Sequence, residues 1–190
     1  SAGTWYYRAV VKNGVCSEAN SSEFEIVVNK VTPTATLNIT NSPVTYSGSE
    51  QSATVAVDTS SVAGSVANVI NGAHTNAGTY AVTADFVPDD TTNYNTLTGL
   101  SAGNFVINKD TPTVNTWPTA SAITYGQTLA SSTLSGGSAT VAGTFAFTTP
   151  STVPNGGTSD HAVTFTPSDT VNYNTVSGTA SVLSICEEGY

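Results

Sequence analysis

Hydrophobic and polar residues alternate along this chain in short runs, and no stretch holds a helical period for long. Alternation with period two puts every second side chain on one face, the signature of a half-buried strand. On that basis strands are predicted at 5–11, 24–28, 36–39, 52–57, 79–86, 103–107, 144–147, 162–165 and 178–183. Each is rich in Val and Thr, which suit a pleated surface. Clusters of Gly, Pro, Asn and Asp break the runs, as expected of turns. The segment 62–70 has room for a turn or two of helix, but Gly64 and its β-branched residues weigh against it. The Asn13-Gly14 pair predicts a tight type I′ hairpin turn. Even spacing of short strands predicts an all-β sandwich or barrel.

The pattern repeats itself. Lys30-Val31-Thr32-Pro33-Thr34 returns 79 positions later as Lys109-Asp110-Thr111-Pro112-Thr113. Thr45-Tyr46 returns as Thr124-Tyr125, and Val62-Ala63-Gly64 as Val141-Ala142-Gly143. Asn76-Ala77-Gly78-Thr79 matches Asn155-Gly156-Gly157-Thr158, and Phe86-Val87-Pro88 matches Phe165-Thr166-Pro167. Asn93-Tyr94-Asn95-Thr96 matches Asn172-Tyr173-Asn174-Thr175. A constant offset marks tandem units, each of a size that suits a small β-sandwich. The division is therefore 1–29, 30–108 and 109–190. Residues 1–29 read as the closing hairpin of an incomplete upstream domain. Ala2-Gly3-Thr4-Trp5 echoes Ala77-Gly78-Thr79-Tyr80, and Val27-Val28-Asn29-Lys30 echoes Val106-Ile107-Asn108-Lys109. A lone hairpin is marginal in water, so something outside 1–29 is expected to cover it.

Composition narrows the partners. Only 9% of residues are charged, and Arg8, Lys12, Lys30 and Lys109 are the whole basic complement against 13 acids. No basic patch for nucleic acid or an anionic membrane surface follows from four scattered cations. No apolar run nears the roughly 18 residues of a spanning helix, so no membrane insertion is expected. Solubility must rest on Thr, Ser and Asn. The chain has no Met and begins at Ser1, so it reads as a fragment or processed product.

These residues carry a resemblance. Ile123-Thr124-Tyr125-Gly126-Gln127-Thr128-Leu129, then Val-Ala-Gly, a Gly-Thr turn, and Phe165-Thr166-Pro167-Ser168-Asp169-Thr170-Val171-Asn172-Tyr173-Asn174 follow one another in order. This order resembles the bacterial Ig-like repeats of the MBG or YGX type, found in very large secreted adhesins, particularly of Bacteroidota. Gly3 to Val28 resembles the closing strands of another Ig-like domain. The resemblance implies tandem Ig-like sandwiches, an extracellular or cell-surface location and a spacer role, and it brings no catalytic residues. Asp90-Thr91-Thr92 and Asp169-Thr170-Val171 also resemble the O-glycosylation acceptor pattern of Bacteroidota, which makes Thr91 and Thr170 candidate acceptors. Asn20-Ser21-Ser22 and Asn38-Ile39-Thr40 fit the N-glycan sequon, a match with little meaning in a bacterial protein.

Candidate chemistry is sparse. His74 and His161 are not equivalent positions, and neither stands in a nucleophile constellation. Two cysteines are too few for a zinc site. Calcium is the better metal candidate, with Asp85, Asp89, Asp90 and Asp169 as oxygen donors. Against it stands a solvated turn in which Asp caps local amides. Lys30 and Lys109 read as linker residues before stiffening Thr-Pro steps, rather than as isopeptide donors. Cys16 is expected to pair with an absent part of its own domain, or with Cys186 of another chain. The in-register aromatics Tyr46/Tyr125, Phe86/Phe165 and Tyr94/Tyr173 are expected to fill the core.

The function expected is structural: an extended stalk or a self-assembled filament, with strand exchange at the incomplete hairpin. Its partners are copies or neighbouring repeats of the same protein. The alternative is an adhesin module that holds host or environmental glycan or protein through its loops, with Trp117 and Tyr125 as contact candidates. No enzymatic activity and no cofactor are expected, calcium aside. Ice binding would require a flat threonine ladder, and the threonines are scattered.

Overall fold

The structure, a computed structural model, describes residues 1–186. The last four residues assigned to the second repeat, 187–190, lie outside the described residues. The fold is all-β, of sandwich type. Its one helical element among the described residues is a single 3₁₀ turn, Leu129–Ser131. The segment 62–70, weighed above as a helical turn, is strand, as its β-branched residues favour.

An N-terminal hairpin pairs β1 (Gly3–Tyr7) with β4 (Phe24–Val28), and its tip pairs β2 (Val10–Val11) with β3 (Ala19–Asn20). The predicted tight turn is instead a wider loop. Gly14 takes a positive φ of 53°, Asn13 does not, and the Cys16 N–H closes the turn on the Asn13 carbonyl at 3.0 Å. A type I′ turn needs positive φ at both central residues, which this loop does not supply.

The first repeat follows as β5 (Ala35–Ile39), β6 (Val44–Thr45), β7 (Gln51–Ser52), β8 (Val55–Ser60), β9 (Gly64–Ile70), β10 (Ala73–His74), β11 (Gly78–Pro88) and β12 (Leu97–Asn108). Four of these form a sheet in the order β6-β12-β11-β9, with β6 parallel to the end of β12. Outside it, β5 pairs with β8 and β7 with β10. The second repeat runs β13 (Val114–Thr116), β14 (Thr119–Ala120), β15 (Ile123–Thr124), β16 (Leu134–Ser135), β17 (Ser138–Ala139), β18 (Gly143–Phe147), β19 (Gly157–Pro167) and β20 (Val176–Ile185). Its large sheet has the matching order β15-β20-β19-β18, again with one parallel edge pair.

Alternation along the long strands fills the core. On β11, Val82, Ala84, Phe86 and Pro88 point inward; on β19, Val163, Phe165 and Pro167 do the same. In the second repeat Ile123, Leu129, Phe147, Val163, Ala180 and Val182 pack as one cluster, with Trp117, Ala120, Leu134 and Phe145 against it. Trp117 meets Phe145 edge-on at 5.7 Å, and Phe145 meets Phe165 at 4.9 Å. The recurring Val-Ala-Gly has a steric cause. A Cβ on Gly143 would lie 2.5 Å from the Phe165 ring and the Thr166 carbonyl, and one on Gly64 would lie 2.6 Å from Phe86 and the Val87 carbonyl. Only glycine lets each buried phenylalanine reach across the neighbouring strand.

The chain divides into two compact units. One comprises Ser1–Ser42, Gln51–His74 and Thr79–Phe105. The other comprises Pro43–Glu50, Thr75–Gly78 and Val106 onward. These units are offset from the sequence repeats. The N-terminal hairpin joins the first repeat, and two turns of the first repeat, 43–50 and 75–78, join the second.

Candidate assembly surface

The Asp-x-x-Asn-Tyr-Asn segment forms the same turn twice. In the first unit, Asp90 Oδ1 accepts the N–H groups of Thr92 and Asn93, both at 3.1 Å, and Asp90 Oδ2 accepts Asn93 Nδ2 at 2.7 Å. In the second, Asp169 Oδ1 accepts Val171 and Asn172 N–H at 3.1 Å, and Oδ2 accepts Asn172 Nδ2 at 2.8 Å. The Asn93 amide is the main reason the Asp90 carboxyl lies below its ordinary 3.8; partial desolvation opposes it and the backbone N–H groups add to it. Asn172, opposed and assisted in the same way, lowers Asp169, with Lys109 contributing charge.

Residues read as linkers tie this turn down. Lys30 Nζ donates to the Thr91 carbonyl and Lys109 Nζ to the Thr170 carbonyl, each at 2.6 Å. Asn95 Nδ2 reaches Thr32 Oγ1 and Asn174 Nδ2 reaches Thr111 Oγ1, each at 3.0 Å. Val31 N–H donates to the Asn93 carbonyl and Asp110 N–H to the Asn172 carbonyl. Pro33 and Pro112 are buried. The Lys-x-Thr-Pro steps are therefore straps across the turn rather than free linkers.

The consequence is a fixed acceptor. With its amide nitrogen committed to Asp, each asparagine presents Oδ1 in one direction. Asn93 Oδ1 accepts the Ala2 N–H at 2.6 Å. Asn172 Oδ1 accepts the Ala77 N–H at 2.7 Å, and Asn172 Nδ2 also donates to Asn76 Oδ1 at 3.2 Å. Ala2 and Ala77 occupy the matched Ala-Gly-Thr turns of the segments preceding each repeat. In the second unit Tyr46 stands edge-on to Tyr173, 5.4 Å between centroids at 85°. Partial burial chiefly, then the nearby Tyr46, Asp110 and Asp169, raise the Tyr173 hydroxyl above its ordinary 10.0. Asn172 is 4% exposed, a buried polar side chain with its bonds made.

Several sequence candidates fall elsewhere. Asp85 braces a bulge: its carboxylate accepts Asn68 Nδ2 at 2.7 Å and Gly99 N–H at 2.9 Å, and Asn68 has φ 49°. Those two bonds lower the Asp85 carboxyl, Asn68 foremost. Among the described residues no three His, Cys, Asp or Glu side chains converge as metal ligands, so Asp85, Asp89 and Asp90 form no common site and Asp169 lies in its own turn. The carboxylates of Asp85, Asp90 and Asp169 serve a bulge and two turns instead. Cys16 and Cys186 are both free, exposed thiols. Thr91 and Thr170 are exposed. His74 stacks on Tyr80 at 3.5 Å and bonds the Asn71 carbonyl, and His161 bonds Ser159 Oγ at 2.8 Å.

The aromatic expectation splits. Phe86 and Phe165 are core, but Tyr125 is 58% exposed, and Tyr46, Tyr94 and Tyr173 are only partly buried. The tyrosines sit at repeat ends, where the sandwich interior has closed. Trp117 is partly buried, lies across Gly178 and packs on the core. Asn93 and Asn172, central here, were visible in the sequence only as parts of a repeated motif. The signal that would have marked them is that the Ala-Gly-Thr motif precedes each repeat. A shallow depression lined by Ser52, Ala53, Val69, Asn71, Gly72 and Ala73 contains no titratable side chain. No helix of the described residues is long and apolar enough to cross a membrane. No protein-family model matches this chain, and no curated protein or solved structure matches it either.

Proposed function

We propose that this chain is a structural segment of an extracellular or cell-surface array of Ig-like repeats, whose work is to extend and to join end to end. One observation carries the reading: the same asparagine acceptor occurs in both units, and each time it is occupied by the Ala-Gly-Thr turn of the preceding segment. A side chain that recurs at an offset of 79 and each time grips what comes before it belongs to a serial architecture. Repeat arrays supply length and depend on nearest-neighbour interfaces. The partners are accordingly neighbouring repeats of the same kind. The bacterial adhesin-repeat resemblance of the sequence agrees with this role.

The filament form of the proposal draws on the hairpin. Trp5, Tyr7, Phe24, Ile26 and Val28 share one face of β1 and β4, and Trp5 is 45% and Phe24 69% exposed. An exposed apolar strand pair is a surface for strand addition. Electron microscopy of the native protein sheared from cells, with and without reductant, tests the proposal. Long regular rods or fibres are expected, and shortening under reductant would implicate Cys16 and Cys186 as cross-links. Compact globules, or particles that bind a glycan array through these loops, would replace this role with that of an adhesin.

A further inference from the structure

In the second unit, the first repeat's Tyr46, Asn76 and Ala77 form the surface on which Asn172 and Tyr173 are seated. Each has a counterpart 79 positions on: Tyr125, Asn155 and Gly156. The needed groups are retained. Asn155 keeps the amide oxygen of Asn76, and Gly156 keeps the N–H of Ala77. These counterparts are uncovered. Tyr125 is 58% exposed and Gly156 is exposed, whereas Tyr46 and Ala77 are partly buried; Asn155 is exposed, as Asn76 is. They are also adjacent, since a Cβ on Gly156 would lie 3.9 Å from the Tyr125 ring and 2.9 Å from Cys186 Sγ. Gly157 stands at φ 98°, a conformation Gly78 does not share. Two consecutive glycines let that turn reach the clamped shape at low steric cost.

We propose that Tyr125, Asn155 and Gly156 form a docking surface for the Asp-x-x-Asn-Tyr turn of a further repeat of the same kind, placed in tandem at this end of the second repeat. The asparagine oxygen would accept the Gly156 N–H, its amide nitrogen would donate to Asn155 Oδ1, and the tyrosine would meet Tyr125 edge-on. The tandem source follows from the two clamps already made. Both clamps in the structure join consecutive segments of one chain, and in a second copy of this chain both turns are already taken, Asn93 by Ala2 and Asn172 by Ala77. The inference rests on the end-to-end reading above.

The test compares amide hydrogen exchange at Gly156 and Ala77 in two proteins. One is the native chain. In the other, a second copy of 109–186 replaces residues 186–190, so that Lys109 follows Ile185 as it follows Asn108. In the native chain Gly156 is expected to exchange roughly 100-fold faster than Ala77, relative to intrinsic rates, as unbonded and bonded amides differ. The added repeat should slow Gly156 at least ~10-fold, and Asn172→Ala in the added copy should abolish that slowing. A cyclic peptide of residues 168–174, added to the native chain, supplies a check that does not depend on folding of the added repeat. It should shift the Gly156 and Tyr125 resonances, and its Asn172→Ala version should not. Gly156 unmoved by both probes, with Ala77 still protected, overturns the docking proposal and leaves the end-to-end reading intact. Gly156 protection in the native chain that grows with concentration overturns it in favour of a second copy as occupant. An unprotected Ala77 removes the clamp, and with it the end-to-end reading.

Discussion

Asn172 concentrates the chemistry of the repeat in one side chain. It donates to Asp169 and Asn76, accepts from Ala77, and is almost fully buried. Removing it strands the Ala77 N–H and frees Asp169, so Asn172→Ala is expected to cost about 1–3 kcal/mol in urea denaturation. Asn93, only partly buried, should cost less when replaced. A loss below ~0.5 kcal/mol at Asn172 would deny it a structural role. Ser184 works in the opposite direction. Its hydroxyl is buried without a partner among the described residues, at the place where the first repeat has the apolar Ile107; both residues lie in the register that pairs the last strand with the short parallel one. Ser184→Ala is therefore expected to leave stability unchanged or raise it by up to ~1 kcal/mol, measured the same way, because an unsatisfied buried hydroxyl is costly. Gly143→Ala should lose about 1–3 kcal/mol, since the Thr166 carbonyl and the Phe165 ring occupy the space a methyl needs.

Among the elements, the Asp-capped turn and the N-terminal hairpin behave differently. Asp90 and Asp169 have native carboxyls lowered below 3.8 by their asparagine and backbone partners. A lowered native value means the turn's contribution is fully present above 3.8 and is lost as pH falls through the lowered value. The urea midpoint of the native chain should therefore fall on acidification below about 3.8. Asp169→Asn should lower the midpoint at neutral pH and flatten this acid dependence. An Asp169→Asn protein with an unchanged acid slope would show that the turn's bonds do not couple to folding. The hairpin has every strand residue of β1 to β4 exposed, so its amides lack the apolar cover that slows opening. Hydrogen exchange should find β1 and β4 among the least protected strands and β11 and β19 among the most. Protection of the hairpin equal to that of β19 would mean that the hairpin opens only with the body of the fold.

For the molecule as a whole, two compact units imply two sites of cooperativity. Trp117 sits half-buried in the core of the second unit and Trp5 lies exposed on the first. Gly143→Ala should accordingly shift the unfolding transition reported by Trp117 fluorescence. Hydrogen exchange at Val82 and Phe105, in the core of the other unit, should stay within about twofold of the native rates. Equal shifts at both places would mean that the two units unfold as one.

The repeat, the all-β class and most strands were legible in the sequence because each rests on local patterning: alternation of period two, β-branched residues, and Gly, Pro and Asn punctuation. The constant offset exposed the sequence repeats, but not the compact units, whose bounds are offset from them. Phe86 and Phe165 were rightly read as core, because a strand's alternation says which side chains turn inward. What alternation does not encode is what happens at the ends of a sandwich, where strands have stopped. Tyr125 and Phe165 recur with equal regularity, yet one is exposed and the other buried. Lys30 and Lys109 looked like linkers because their partners, Thr91 and Thr170, lie 61 positions away. Asp85, Asp90 and Asp169 looked like metal donors because proximity in sequence does not reveal that backbone N–H groups and asparagine amides already satisfy them. The pairing of Asn172 with Ala77 spans 95 positions and joins one repeat to the turn of another. Only tertiary structure decides such a contact, because it depends on where stretches of backbone far apart in sequence meet within one compact unit.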